Sequence, residues 1–155
     1  MAQDRQQQTD DRRRTKEIVT LTVPSDPKYL YVVRSALYPI VIDAGFSKKE
    51  TRTIILAVDE ACSNIIKYAY EGVHAMPIGV TVTVSNEELR IVLKDSGKQV
   101  DRSKIAPRKL ADIRPGGLGT HFMNTVFDTV HYDTAGELGT VLTLVKQRPS
   151  LSPRG

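Results

Sequence analysis

The sequence predicts an α+β fold, a two-layer α/β sandwich in which helices cover one face of a mixed, mostly antiparallel sheet. Three observations support this prediction. Apolar residues recur with the period of strands in some segments and with the period of helices in others. The strand-like segments of the second half come in hairpin pairs, and the 155 residues, 40% of them apolar, are enough to bury one core.

Three regions of the chain differ in composition. Residues 1–16 are polar and nearly without apolar side chains, so we predict a disordered tail. A single folded domain is expected over 17–147, followed by a flexible C-terminal tail over 148–155. No apolar run approaches the roughly 20 residues that span a bilayer. Because one cysteine excludes an internal disulfide and suits a reducing compartment, the prediction is a cytoplasmic protein.

The first strand and the first helix follow this tail. Apolar residues alternate with threonines over 18–23, which predicts a strand buried on one face. The side chains expected to face the core are Val19, Leu21 and Val23. Asp26 precedes a proline and offers a helix N-cap. The helix should be kinked or broken at Pro39, which lies inside its apolar pattern, and Gly45 should end it.

The second helix begins with a capping box formed by Ser47 and Glu50 and is expected to continue to about Tyr70. Its apolar residues recur every three or four positions, so they form one buried stripe. The stripe consists of Ile54, Ile55, Val58, Cys62, Ile65 and Ile66.

The second half of the chain predicts a hairpin, a long loop, a helix and a second hairpin. The loop over 96–117 has no sustained period and contains two prolines, which is typical of a functional lid or a disordered insert. The expected strands are 80–84 with 89–94 and 130–132 with 140–146, and the expected helix is 118–127.

Glu60 and Asn64 are the first candidates for chemistry. They are four residues apart, so their side chains lie on one face of the second helix. An amide oxygen is a hard ligand for Mg²⁺, and a carboxylate can accept a proton or order a water. Any solvated helix can show the same spacing. The pair alone therefore does not decide between a metal–phosphate site and an ordinary helix surface.

Three further segments carry candidates. Asp95 and Gly97 end an apolar strand, where a ligand can approach the backbone or an Asx-turn can simply close the strand. Residues 117–120 open the last helix, where free amides can face a phosphate; a flexible hinge is the alternative. The hydroxyl of Thr140 can reach a phosphate; alternatively, Thr140 is simply the first residue of a hairpin strand.

In this order, four segments resemble the N, G1, G2 and G3 boxes of the Bergerat-fold ATPases, the superfamily of gyrase, Hsp90, histidine kinases and MutL. The segments are Val58–Asn64, Asp95-x-Gly97, Gly117-Leu118-Gly119 and Gly139-Thr140. The short length, the Glu-Ala-x-x-Asn form and the glycine-rich run ending at Asp128 are most similar to the bacterial anti-sigma factor serine/threonine kinases. The resemblance covers roughly Ile18 to Lys146. In one departure, Gln99 stands where G1 boxes often have a last glycine.

The resemblance implies a role for each candidate. Glu60 would be the general base for the substrate serine, and Asn64 would hold Mg²⁺. Asp95 would accept from the adenine amino group of ATP, and Gly97 would give the base close access. The remaining nucleotide-binding residues would be Gly117, Leu118, Gly119, Thr120 and Thr140.

The loop over 98–114 carries six basic and two acidic residues, a local charge of +4 that equals the net charge of the whole chain. It joins the adenine box to the phosphate box, which predicts a cationic lid over the nucleotide. Lys98 and Arg114 are the candidates for contacting the γ-phosphate; contact with an acidic partner is an equally weighted alternative. Because the charge is local and the loop has no aromatic residue, direct nucleic-acid binding is not expected.

The resemblance predicts an anti-sigma factor with ATP-dependent protein serine kinase activity. It would phosphorylate a STAS-domain anti-sigma antagonist and sequester a sigma factor in a partner-switching system, and the family also suggests a homodimer. The alternative is a nucleotide-binding partner-switch module without significant kinase activity. Association with a membrane is not expected.

Overall fold

The sheet forms one layer of the protein. The structure, a computed structural model, describes residues 16–99, 117–134 and 136–150, with the backbone alone for 117–120. Within these ranges five strands form a single sheet in the order β1-β2-β3-β5-β4, and all four pairings are antiparallel. The strands are β1 (Glu17–Pro24), β2 (Pro77–Val84), β3 (Glu88–Asp95), β4 (Thr129–Asp133) and β5 (Thr140–Gln147). The predicted α+β architecture is confirmed, without the parallel pair that a mixed sheet would need among these strands.

The helices form the second layer. In the described ranges they are α1 (Leu30–Asp43), α2 (Lys48–Asn64) and α3 (Gly117–Val126). A short 3₁₀ turn, Pro27–Tyr29, precedes α1, and a π-helical turn, Ile65–Ala69, continues α2. Helix α2 packs against both α1 and α3, so it lies at the centre of the helical layer.

The core lies between the helices and one face of the sheet. Strand register aligns apolar residues across the central strands, since Val80 of β2 pairs with Leu93 of β3, which pairs with Leu142 of β5. Leu93 and Val80 are completely buried and Leu142 nearly so. The stripe of α2 packs against this face, with Ile54, Val58 and Cys62 completely buried, as the sequence predicts.

Helix α1 runs through Pro39 without a break, so of the predicted kink or break near Tyr38 the break does not occur. Proline removes one backbone donor and leaves the carbonyl four residues earlier, at Ser35, without its usual partner. Ser35 is exposed, and water can satisfy that carbonyl. Leu37 and Val41 on either side of the proline are completely buried, and this packing holds the helix together.

Strand β1 is less buried than its alternating pattern predicts. Val23 is buried, Leu21 is half-buried and Val19 is 42% exposed. The strand lies at the edge of the sheet, where it pairs with β2 alone. The three side chains stand opposite the buried Val82, Val80 and Ile78 of β2, so they share the core-side face as predicted, but their burial decreases towards the start of the strand.

The predicted helix caps are confirmed. The Asp26 carboxylate accepts from the Lys28 amide at 3.1 Å, which starts the turn before α1. Ser47 and Glu50 form a reciprocal capping box at α2, and these bonds lower the Glu50 pKa because they favour its ionised form. Gly45 adopts a left-handed conformation just after α1.

Candidate functional site

The end of α2 departs from regular helix directly after Asn64. The Tyr70 amide bonds to the Ile65 carbonyl five residues earlier, at 3.0 Å. Glu71 then takes a positive φ of 49°, which is uncommon for a residue with a side chain. Widened turns of this kind often mark functional sites. The sequence predicts an ordinary helix here, because apolar spacing does not distinguish the two forms.

Glu60 and Asn64 lie on the last turn of α2, immediately before the widened turn, and both are half-buried. The side-chain oxygen of Asn64 is buried and has no hydrogen-bond donor among the described residues. An unsatisfied buried polar atom costs roughly 1–3 kcal/mol. Because a neutral amide oxygen is a hard ligand, this atom fits a Mg²⁺ ion that completes its shell with water and phosphate oxygens.

No group of three His, Cys, Asp or Glu side chains that could hold a metal by itself occurs in the described ranges. A Mg²⁺ ion at Asn64 would therefore take the rest of its ligands from the nucleotide and from water, which is the usual arrangement at phosphate-bearing sites.

Asp59 is the neighbour of Glu60 but is engaged elsewhere. Its carboxylate accepts from the Arg34 guanidinium of α1 at 2.6 Å, on a partly exposed surface between the two helices. This ion pair accounts for Asp59 as a link between α1 and α2. Glu60, in contrast, is four residues before Asn64 and lies on the same face of α2.

Asp95 is a buried carboxyl group at the end of β3, only 6% exposed. Its Oδ1 accepts from the Gly97 amide at 3.0 Å, which is the predicted Asx-turn, and the carboxylate also accepts from the Thr140 amide. Burial raises the pKa of Asp95, and the two amide bonds offset part of that rise. A buried carboxyl at a strand end is chemically suited to accept from an exocyclic amino group.

Gly97 packs directly against the widened turn. A Cβ at this position would lie 2.4 Å from the Ala69 carbonyl oxygen and 2.8 Å from the Tyr70 ring. No residue other than glycine fits this contact, so the close approach that the structure shows is between β3 and the end of α2. Contact between Gly97 and a nucleotide remains a prediction.

Tyr70 ties the widened turn to two strands, a role that its apolar position in the sequence does not indicate. It is buried, and its hydroxyl bonds to the Pro77 carbonyl at 2.6 Å. The same oxygen accepts from the Ser96 amide at 2.9 Å. These bonds fix the residues after β3 beside the end of α2.

Gly139 and Thr140 complete this junction from β5. Thr140 pairs with Asp95 across the strands. Gly139 has a φ of +83°, and a Cβ there would lie 2.4 Å from the Asp95 carbonyl oxygen. Its amide donates to the Gly97 carbonyl at 2.8 Å. Thr140 therefore lies in contact with the Asp95–Gly97 turn, although more than forty residues separate them in sequence.

The glycine-rich run opens α3, which begins at Gly117 and includes Leu118, Gly119 and Thr120 in its first turn. Helix α3 packs against α2 through a buried face that includes Met123. The fold thus places the start of this helix in the layer that contains Glu60 and Asn64. Phosphate binding at these residues stays a prediction.

The predicted lid lies outside the described residues except for its first two positions, Lys98 and Gln99. The candidate Arg114 is among the residues that are not described. Lys98 is exposed, and its ammonium group lies 3.4 Å from a carboxylate oxygen of Glu71. Its amide donates to the Ala69 carbonyl at 2.8 Å. The second position, Gln99, contacts the loop between β4 and β5 through its side chain.

The described fold is an antiparallel sheet covered by helices, in which the end of α2 meets the residues that follow β3 and the start of β5. The family model of the histidine kinase-like ATPase domain matches residues 23–146, a range that includes all four boxes. The chain belongs to the histidine kinase-like ATPase domain family.

Three similar proteins carry one name, serine-protein kinase RsbW. Serine-protein kinase RsbW of Listeria monocytogenes is 30% identical over 125 residues, which cover 74% of this chain and 80% of that protein. Serine-protein kinase RsbW of Halalkalibacterium halodurans is 28% identical over 138 residues, which cover 84% and 83%. The Bacillus subtilis protein of the same name is 25% identical over 135 residues, which cover 82% and 84%.

Two solved structures share the fold. The RsbU and RsbW domains of Rv1364c from Mycobacterium tuberculosis match with a TM-score of 0.59 at 17% identity, over 86% of this chain and 33% of that one. The histidine kinase domain of a blue-light activated kinase from Erythrobacter litoralis matches with a TM-score of 0.52 at 19% identity, over 80% and 61%. In the described part of this chain, no helix has the length and apolar character needed to cross a membrane.

Proposed function

We propose that this chain is an ATP-dependent protein serine kinase that acts as an anti-sigma factor. Its substrate would be a serine of a STAS-domain anti-sigma antagonist, and it would bind a sigma factor in the cytoplasm, as a homodimer. The observation that carries the proposal is the buried Asn64 oxygen without a donor, one helical turn from Glu60. The names of the RsbW relatives agree with it.

Each candidate residue has its own role in the proposed reaction. Glu60 takes the proton of the serine hydroxyl as the serine oxygen bonds to the γ-phosphorus and ADP leaves. Asn64 would hold Mg²⁺, which would neutralise charge on the phosphates. Asp95 accepts from the adenine amino group. Phosphate oxygens face the backbone amides at the start of α3, and Lys98 and Arg114 are the candidates for contacting the γ-phosphate.

The test is phosphorylation of a purified STAS-domain partner with ATP and Mg²⁺, read as phosphoserine by mass spectrometry. Glu60→Gln should lower the rate by roughly 10²–10⁴-fold, because a positioned base contributes about that much. ATP affinity, measured separately by fluorescence titration, should be unchanged. Asp59→Asn is the matched control, since Asp59 is the adjacent carboxylate and is paired with Arg34.

Two results would contradict the proposal in different ways. A protein that binds ATP and both partners but forms no phosphoserine would be a nucleotide-responsive binding module instead. A protein that binds no ATP would not be a kinase at all. Retention of full activity in Glu60→Gln would show that another group accepts the proton.

A further inference from the structure

Gln99 connects the residues after β3 to the loop between β4 and β5. Its side-chain nitrogen lies 3.1 Å from the Thr134 carbonyl oxygen and 3.2 Å from that of Gly139, and it also bonds to the Gly136 carbonyl. One NH₂ group thus donates to a loop that lies about forty positions later in the chain. The side chain is half-buried, so solvent competes only partly for these bonds.

The backbone on both sides of Gln99 is also held. The Lys98 amide donates to the Ala69 carbonyl in the widened turn after α2, and the Gly139 amide donates to the Gly97 carbonyl, both at 2.8 Å. Residues 97–99 are therefore fixed between α2 on one side and the β4–β5 loop on the other.

This arrangement is connected to Asp95 through Gly139 and Thr140. Gly139, whose carbonyl Gln99 holds, directly precedes Thr140, and the Thr140 amide donates to the Asp95 carboxylate. The Cα of Gly139 approaches the Asp95 backbone so closely that a Cβ would collide with it. A small displacement of the β4–β5 loop would therefore move a donor off the carboxylate.

We propose that Gln99 is a positioning residue for adenine recognition, which holds the β4–β5 loop so that the Thr140 amide stays on the Asp95 carboxylate. A glycine at this position, as in the related G1 boxes, has no side chain to make these bonds. The proposal rests on the ATP binding proposed above. Gln99 itself touches no nucleotide and acts through Thr140 and Asp95.

The test compares Gln99→Glu and Gln99→Met in the full-length protein. Both substitutions keep the length of the side chain and remove the NH₂ donor, and the first also places a carboxylate against three carbonyl oxygens. Because the loop loses the bonds that hold it, ATP affinity should fall roughly tenfold, about 1.4 kcal/mol. GTP, which lacks the amino group that Asp95 would bind, should bind with unchanged weak affinity, so the ATP-to-GTP preference should fall by the same factor.

Leu138→Ser is the matched control, since Leu138 lies in the same loop and is 73% exposed. It should leave both affinities unchanged. Amide hydrogen exchange at Thr140, measured by NMR in protein without nucleotide, should become faster in both Gln99 variants and stay slow in the control.

The outcomes separate this inference from the proposed function. If the wild-type protein binds ATP and the Gln99 variants keep its affinity and its preference over GTP, the positioning role is wrong. Equal loss of ATP and GTP affinity would indicate a general structural role and would also overturn it. If the wild-type protein binds no nucleotide, the proposed function fails. Unchanged hydrogen exchange at Thr140 in the Gln99 variants would by itself refute the action of Gln99 on that amide.

Discussion

The two ends of α2 differ in how completely local sequence accounts for them. At the beginning, Ser47 and Glu50 satisfy each other's backbone amides in a capping box. At the end, the helix widens into a π-helical turn, and the Asn64 oxygen is buried without a donor in the described part of the chain. Thr51 Oγ1 in the first turn is likewise buried without a partner in the described part of the chain, so the two ends differ in the capping box and in the widened turn rather than in this feature.

This difference separates the end of α2 that local capping rules explain from the end that depends on contacts with other segments. Natural sequences follow local rules except where a function requires otherwise. An unsatisfied buried oxygen and a turn held by Gly97 and Tyr70 both lower stability or demand special residues. Their position beside Glu60 and Asp95 agrees with a site that gains its missing interactions from a ligand.

Gly97→Ala should have the largest effect on the end of α2. The added Cβ would lie 2.4 Å from the Ala69 carbonyl, so the backbone must move, at a cost of about 3 kcal/mol in the free energy of unfolding. ATP affinity should fall as well, because Asp95 lies two residues away. Urea unfolding and nucleotide titration measure the two effects.

Gly79→Ala in β2 is the comparison for this variant, since a Cβ there meets its nearest atom at an ordinary 3.7 Å. It should change stability by less than about 1 kcal/mol. Equal effects of the two substitutions would show that the contact with Ala69 is not what requires Gly97.

Asn64→Leu should separate stability from binding at the same end. Removing a buried oxygen without a partner should raise the free energy of unfolding by roughly 1–2 kcal/mol. The Mg²⁺-dependent part of ATP affinity should be lost, because no oxygen replaces the proposed ligand. Thermal unfolding and titrations with and without Mg²⁺ measure both quantities, and a variant less stable than the wild type would show that Asn64 serves the fold.

Ser47→Ala should have the smallest effect, at the opposite end of α2. Loss of an N-cap costs about 1 kcal/mol. The lowered Glu50 pKa should also rise part of the way, because the Ser47 hydroxyl bond disappears while the backbone amide at position 47 still donates to Glu50, so the stability difference should shrink as the pH falls through the folded-state pKa of Glu50. Affinity for ATP should not change, and a loss of binding would mean that the two ends are coupled through the helix.

The sequence by itself determined most of the architecture, because its signals are local. Alternation predicted the hairpins, three-to-four spacing predicted the buried stripe of α2, and capping residues predicted where helices begin. Cys62 shows how reliable such a signal is: it belongs to the stripe, is completely buried, and burial raises its pKa to about 12, so it behaves as an apolar core side chain.

Only the tertiary structure shows where packing overrides the local preferences of the sequence. Pro39 remains inside α1 because Leu37 and Val41 are buried beside it, and the first half of β1 is exposed because the strand lies at the sheet edge. The widened turn after Asn64 and the Gln99 bonds join segments that are distant along the chain. Periodicity records only neighbours in sequence, whereas these features depend on contacts that exist after the sheet and helices have packed together.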